Sequence, residues 1–261
     1  MDLKEFAAAH PKAVLAFSGG VDSAYLLYAG LQAGADWRPV YIRSVFQPEF
    51  ELEDAKRLCM DLNVELNVLE LDILSLPEVR ENPKDRCYFC KRALFGELRS
   101  WAFAQGINDI LDGNNASDSA LDRPGMRAVK ELGVFSPLRD AGLTKKDIRR
   151  LSKEAGLFTW NKPAYACLAT RVPSGTALDA DTLKRVETGE AALRDLGFTD
   201  LRIRVFHDAG RIQLPAHELS AAVRERERIL SALKPLFPVV LLDLESRPDN
   251  PDLIPLLERE D

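Results

Sequence analysis

The chain has 261 residues, 46% of them hydrophobic and 29% charged, with a formal net charge of −6 and a pI near 5.3. That length can bury a good core and divides naturally into one large domain with a small appendage. The acidic balance weakens any role that depends on gripping a long nucleic-acid backbone. No apolar run approaches a membrane span and the start MDLKEFAAAHPKAV is unlike an export signal, so a cytoplasmic protein is expected.

Asp2 to Ala9 reads as a short helix and Ala13 to Phe17 as a buried strand. A glycine pair, Gly19 and Gly20, then leads into a helix predicted over Asp22 to Gly34. Without a Cβ these glycines can take unusual dihedrals and approach a ligand closely, and a helix start with free N–H donors favours an anion. The Ser18 and Ser23 hydroxyls can add neutral hydrogen bonds to phosphate. A carboxylate there would repel phosphate unless a divalent cation lay between, so Asp22 reads as a magnesium-side residue. The loop lacks the spacing and the lysine of a Walker A motif.

The pattern then repeats. Arg38 to Val45 is β-rich, Glu49 to Leu62 helical and Val64 to Leu71 an alternating strand. Leu94 to Gln105 reads as a helix, Asp109 to Gly113 as a strand, and Val134 to Leu138 leads to a helix starting near Thr144. Repeated strand–helix units imply an α/β fold with a doubly wound parallel sheet, whose ligands sit at the carboxyl ends of the strands. Asp112-Gly113-Asn114-Asn115-Ala116-Ser117-Asp118 follows such a strand, making Gly113 and Asn114 nucleotide-site candidates. A plain turn is the alternative. Lys145 at a helix start is unfavourable to the dipole, and a bound phosphate would explain it. Arg43, in the run RPVYIRSV, is assigned to the nucleotide site as well.

Of the four cysteines, Cys59 lies among apolar residues of a helix and reads as a small core group. Cys87 and Cys90 form a C-x-x-C at a helix start flanked by Arg86, Lys91 and Arg92, cations that favour thiolate. Cys167 stands in NKPAYACLATRVPSG. In a cytosolic chain this set suggests metal or redox use. Three thiolates suit a four-iron cluster with one iron open to bind sulfide; a redox pair or unlinked core cysteines are the alternatives.

From Thr176 the texture changes. Leu178 to Leu196 reads as a long helix, Leu201 to Phe206 and Arg211 to Leu214 as strands joined by a hairpin-like turn closed by Gly210, Glu218 to Leu233 as a helix, Pro238 to Leu244 as a strand, and the stretch from Ser246 as a loose tail. Arg171, Arg202 and Arg204 are candidates to hold an anionic substrate, the last two alternating so that they share a strand face; a solvated face is the alternative.

The loop SGGVDS resembles the pyrophosphate-binding loop of the ATP pyrophosphatase (PP-loop) superfamily. Together with NPKDRCYFCKRALF, GNNASD and WNKPAYACLATRVPSG, it resembles the LarE family of ATP-dependent sulfur transferases in nickel-pincer nucleotide synthesis. The resemblance covers nearly the whole chain. It implies a PP-loop domain over residues 1–175 and a small α/β substrate-binding or oligomerisation domain over 176–261. It also implies ATP and Mg2+ as cofactors, with Ser18, Gly19, Gly20, Asp22 and Ser23 at the phosphates. The implied substrate is a pyridinium mononucleotide whose carboxylate is adenylated before sulfur enters, with Arg202 and Arg204 at its phosphate. Cys167 matches the family's sulfur-donating cysteine. Members with this cysteine alone sacrifice its sulfur, whereas members with three cysteines are thought to bind an iron–sulfur cluster, so the resemblance implies a [4Fe-4S] cluster on Cys87, Cys90 and Cys167. Sulfide or another sulfur donor and a second copy of the chain are the expected partners. A tRNA thiolase of the superfamily and a non-catalytic nucleotide-binding or sulfur-carrier protein are the other function classes.

Overall fold

The computed structural model describes residues 1–118 and 124–248. Most of the expected loose tail therefore lies outside the described residues. The chain forms two compact units, the first of Met1–Ile73 with Asp85–Lys162, the second of Leu74–Lys84 with Pro163–Asp261. The expected boundary lay near residue 175; here the stretch carrying Cys167 belongs to the second unit.

In the first unit, helix α1 (Leu3–Ala9) opens with a capping box between Asp2 and Glu5 and leads into strand β1 (Lys12–Ala16). Helix α2 (Val21–Gln32), strand β2 (Asp36–Arg43), helix α3 (Glu49–Asp61) and strand β3 (Asn67–Glu70) follow. After a short helix α4 (Pro77–Arg80), which belongs to the second unit, comes the long helix α5 (Arg86–Ala104) and then strand β4 (Asp109–Leu111). Helices α6 (Pro124–Glu131), α7 (Pro137–Asp140) and α8 (Lys145–Glu154) complete the unit.

The sheet is parallel in the order β3-β2-β1-β4. Because side chains alternate along each strand, its two faces bury different sets. Ala13, Leu15, Tyr41 and Leu111 pack with residues of α1, α2, α3 and α8. Val14, Val40 and Ile110 pack with Phe95, Leu98 and Ala102 of α5 and Val129 of α6. Helices therefore cover both faces, the doubly wound arrangement. The strand order reverses at β1, so the loops after β1 and β4 leave neighbouring strands and open the crevice in which such sheets bind ligands.

The second unit holds helix α9 (Ala180–Asp195), a hairpin of β5 (Arg202–Phe206) and β6 (Ala209–Gln213), helices α10 (Ala216–Arg224) and α11 (Arg226–Leu233), and strand β7 (Val239–Leu242) parallel to β6. The single helix expected over Glu218 to Leu233 is divided at Glu225. The hairpin turn also differs in detail. Its left-handed residue is His207 (φ 52°), and Gly210 lies within β6, where an added Cβ would come 2.8 Å from the Phe237 ring. Close packing rather than turn geometry accounts for that glycine. Asn82 pins the Leu74–Lys84 segment to this unit: its side-chain amide donates to the carbonyls of Pro173 (2.9 Å) and Thr176 (3.1 Å), and its own carbonyl accepts from Gly175 N–H at 2.8 Å.

Candidate active site

The loop after β1 is shaped for an anion. Gly19 takes φ +68°, and an added Cβ would lie 3.1 Å from the backbone of Ala55 on α3, so the position excludes a side chain on two grounds. Gly20 is the N-cap of α2 and no side chain caps the helix, whereas Asp2, Thr144 and Asp179 cap α1, α8 and α9. The first N–H groups of α2 are thus left for an outside acceptor. The hydroxyls of Ser18 and Ser23 lie 3.2 Å apart beside them.

The loop after β4 closes on this one. A Cβ on Gly113 would sit 3.0 Å from the Ser23 backbone nitrogen, so glycine permits the approach of the two loops. Asp112 is buried and holds the second loop in shape, accepting from the Ser136 hydroxyl at 2.7 Å and from Asn114 N–H at 3.0 Å. Burial pushes its carboxyl above the ordinary carboxylate value, and those bonds with the charges of Lys91 and Arg139 pull the other way. Asn115, itself buried, donates its side-chain amide to Asp22 at 3.3 Å. Lys145 completes the group with an ion pair to the other Asp22 oxygen. Burial raises the Asp22 carboxyl although the Lys145 ammonium opposes it.

Beside these loops lies a pocket of about 340 Å3 at the carboxyl ends of the strands. Ser18, Asp22, Ser23, Gly113 and Asn114 form its polar end, while Val40, Ile42, Leu94, Phe95 and Leu98 form an apolar wall. The polar end can take phosphates and the wall a base. Helix α5 supplies that wall from one stripe: Lys91, Leu94, Phe95 and Leu98 recur at helical spacing. Cys87 and Cys90 continue the same stripe one turn toward the helix start, about 5.4 Å along the axis.

None of the four cysteines is joined in a disulfide. Cys59 is buried and its thiol is pushed up to about 12, which makes it inert core. Cys87 is exposed and Cys90 half-buried in the first turn of α5, and a guanidinium nitrogen of the buried Arg86 lies 3.8 Å from the Cys87 sulfur. Among the described residues no three of His, Cys, Asp and Glu are gathered closely enough to hold a metal ion.

In the second unit, Cys167 is half-buried and precedes a turn of 3-10 helix, Leu168–Arg171. Its loop is tied down on both sides by one carboxylate. Glu190 of α9 is fully buried; it accepts from Arg171 Nε at 2.8 Å, from the Tyr165 hydroxyl at 2.6 Å and from Ile203 N–H of β5 at 2.9 Å. Arg171 in turn donates to the Ala166 carbonyl and the Thr170 hydroxyl, both at 2.8 Å, and is only 1% exposed. Burial opposes the Glu190 charge, yet the Arg171 and Tyr165 bonds hold its carboxyl below the ordinary value.

The two strand arginines do share a face of β5, but their surroundings differ. Arg202 is buried, donating to the carbonyls of Leu201 and Ala164 at 2.6 Å, and burial beside Arg171 and Arg247 lowers it to about 10. Arg204 is half-buried, donates to the Thr170 carbonyl at 2.7 Å, and is lowered by burial and by Arg171, Arg247 and Arg211. A half-buried guanidinium depressed by three others is a place where an anion would bring relief.

The sequence-based candidates therefore divide. Ser18, Asp22, Ser23, Gly113 and Asn114 line one pocket, with Lys145 paired to Asp22. Arg43 lies outside its lining and is exposed, bridging Glu49 (2.8 Å) and Glu70 (3.3 Å). Arg171 is enclosed in the loop it supports. Sequence reasoning did not single out Asn115, or Lys91 as a pocket residue. It also missed Lys162, which pairs with Asp54 at 2.6 Å and reaches the Gly19 carbonyl at 3.4 Å. The spacing of Lys91 to Leu94, Phe95 and Leu98 was the available signal, passed over because Lys91 was weighed only as a cation beside the cysteine pair.

No family model matches the chain. An uncharacterized protein of Synechocystis sp. is 36% identical over 230 residues, 86% of this chain and 84% of its own. The pyridinium-3,5-bisthiocarboxylic acid mononucleotide synthase of Lactiplantibacillus plantarum is 34% identical over 236 residues, 89% of this chain and 86% of its own. The tRNA-specific 2-thiouridylase of Thermotoga maritima is 25% identical over 194 residues, 58% of this chain and 54% of its own. With two-sided similarity of that extent, a doubly wound sheet and a glycine loop opening on a nucleotide-sized crevice, the chain belongs to the LarE family of sulfur transferases, within the PP-loop ATP pyrophosphatase superfamily.

Proposed function

We propose that the protein is an ATP-dependent sulfur transferase that adenylates a carboxylate of pyridinium-3,5-dicarboxylic acid mononucleotide and replaces it with a thiocarboxylate. One substrate carboxylate oxygen attacks the α-phosphorus of ATP, the bond to the β-phosphate oxygen breaks, and pyrophosphate leaves with the electron pair. A sulfur nucleophile then attacks the acyl carbon, and AMP departs with that carboxylate oxygen. Helix α5 carries the reading: a single stripe of it bears Cys87 and Cys90 and also walls the pocket into which the uncapped start of α2 opens.

For Mg2+, ATP phosphates supply most ligands and the protein needs one or two carboxylates, a role that suits Asp22. The ion would neutralise phosphate charge there, and Lys145, whose ammonium now holds that place, would turn to a phosphate. For a [4Fe-4S] cluster the donors would be the thiols of Cys87, Cys90 and Cys167. When bound, such a cluster offers an open iron that can carry sulfide. In the competing route Cys167 gives up its own sulfur, its Cβ–S bond breaking with loss of the α-proton to leave dehydroalanine. We assign Arg204 to the substrate phosphate, with Arg171 and Arg202 holding its surroundings.

The similarity to thiouridylases makes tRNA the rival sulfur acceptor, against which stands the net charge of −6. The reading keeps the enzyme in the cytoplasm; among the described residues no helix is long and apolar enough to cross a membrane. It also takes sulfide or another sulfur donor as partner and a second copy of the chain, for which exposed Val239 and Leu241 on β7 offer an apolar strip. Pyrophosphate release tests the function: the wild type should release it only with the pyridinium mononucleotide present, and Asp22→Asn should abolish release while keeping the fold. Release stimulated by unmodified tRNA instead would favour the thiolase.

A further inference from the structure

Among the described residues, Lys91 is the exceptional cation of the nucleotide site. Lys145 is paired with Asp22, Lys162 with Asp54, and Arg43 with Glu49 and Glu70, while Arg139 donates to the Asp118 carbonyl at 2.8 Å. Lys91 lines the pocket and makes no hydrogen bond or ion pair with any described residue. Its stem is set by packing. A Cβ on Gly125 of α6 would come 3.0 Å from Lys91 Cδ and 3.2 Å from Cε, so glycine leaves the channel in which the stem runs. The charge it brings falls on buried Asp112 at the end of β4, beside Gly113. Four carboxylates, Asp22, Glu51, Asp112 and Asp118, line the same pocket, an arrangement that would repel a triphosphate unless cations offset it.

The position of Lys91 along α5 selects the phosphate. Leu94, Phe95 and Leu98 form the wall suited to the base, and Ser18 and Ser23 with the start of α2 form the cradle suited to the leaving pyrophosphate. Lys91 stands at the cysteine end of that wall, one turn before Phe95. The phosphate next to the nucleoside is the α-phosphate. We propose that the Lys91 ammonium is the protein's contact to the α-phosphate of the bound nucleotide, stabilising charge there during attack by the carboxylate and again as AMP leaves. The catalytic part rests on the adenylation reading above; the binding part does not. No proton moves in this role, since the ammonium acts as a fixed charge and donor. It also explains why the cysteine pair and the lysine share one stripe: sulfur must arrive at the acyl carbon joined to that phosphate.

Calorimetric binding of AMP and of adenosine to the full chain tests this. Lys91→Met keeps the stem and removes the charge, and should weaken AMP about 10- to 100-fold while leaving adenosine unchanged; Lys91→Arg should restore most of the loss. Parallel weakening of AMP and adenosine would make Lys91 a packing residue and overturn the proposal. So would AMP binding equal to wild type in Lys91→Met, or no AMP binding by the wild type. A wild type that binds AMP in this Lys91-dependent way yet releases no pyrophosphate with the pyridinium substrate would leave the α-phosphate contact standing and sink the adenylation reading.

Discussion

Lys145, at the first position of α8, reaches back to Asp22 in the first turn of α2 and neutralises the carboxylate beside the glycine loop. Burial raises the Asp22 carboxyl and the Lys145 ammonium opposes the rise. If Asp22 must be ionised to hold magnesium, pyrophosphate release should fall on the acid side at a pH above the ordinary aspartate value. Lys145→Gln removes the opposing charge, so its acid limb should move to still higher pH. Rate–pH profiles at limiting Mg2+, where the metal-free Asp22–Lys145 pair is the starting state, read this directly; superimposable limbs would show that Asp22 ionisation is not what they report.

The Glu190–Arg171 pair gives the second unit a stability that should be measurable. Glu190→Gln leaves a buried guanidinium without its charge partner and should cost about 3–5 kcal/mol in denaturant unfolding. The sign with pH follows from a depressed carboxyl. The pair's contribution is fully present above the ordinary glutamate value of 4.5 and is lost as pH falls through the lower folded value. The variant should lack that acid-side loss. A cost under about 1 kcal/mol, the range of exposed pairs, would mean that the network adds no more than a surface bridge.

Arg204 should serve the substrate rather than ATP. Arg204→Ala is expected to raise the apparent dissociation constant of the pyridinium mononucleotide about 10-fold or more, as for loss of a charge-assisted bond, with little change for ATP. Equal weakening of both ligands would point to a structural role for the Thr170 and Gln213 contacts it makes.

What could be read in advance follows the range of the interactions. The strand, glycine turn and helix from Ala13 to Gly30 were legible because a buried apolar run and a glycine pair are local signals. The same alternation placed Arg202 and Arg204 on one strand face but could not say that the face is enclosed: the Ala164 carbonyl that Arg202 meets is brought there by tertiary structure. Likewise, Lys145 is unfavourable at a helix start when only the dipole is considered, and the partner that answers it is 123 residues away. Gly210 misled the turn assignment because a glycine required by the Phe237 ring looks, in sequence, like one required by a turn.

The cysteines separate two sulfur routes. If Cys87, Cys90 and Cys167 hold a cluster, each alanine variant should lose multiple-turnover transfer while adenylation survives. If Cys167 is sacrificed, only Cys167→Ala should stop transfer, and the spent protein should be lighter by roughly 34 daltons, the mass of hydrogen sulfide eliminated from a cysteine. Intact mass after turnover, read with the activities of Cys87→Ala and Cys90→Ala, decides between them. Full activity in those two variants with the mass loss in wild type would refute the cluster.

The central claim is that a substrate carboxylate is activated on the α-phosphate of ATP and then surrenders an oxygen to AMP. Substrate labelled with 18O in its carboxylates, turned over once with unlabelled ATP and analysed by mass spectrometry, tests it most directly. The account predicts one labelled oxygen in AMP, none in pyrophosphate, and a thiocarboxylate short of that oxygen. AMP free of label, with both carboxylate oxygens still on the pyridinium ring, would contradict it.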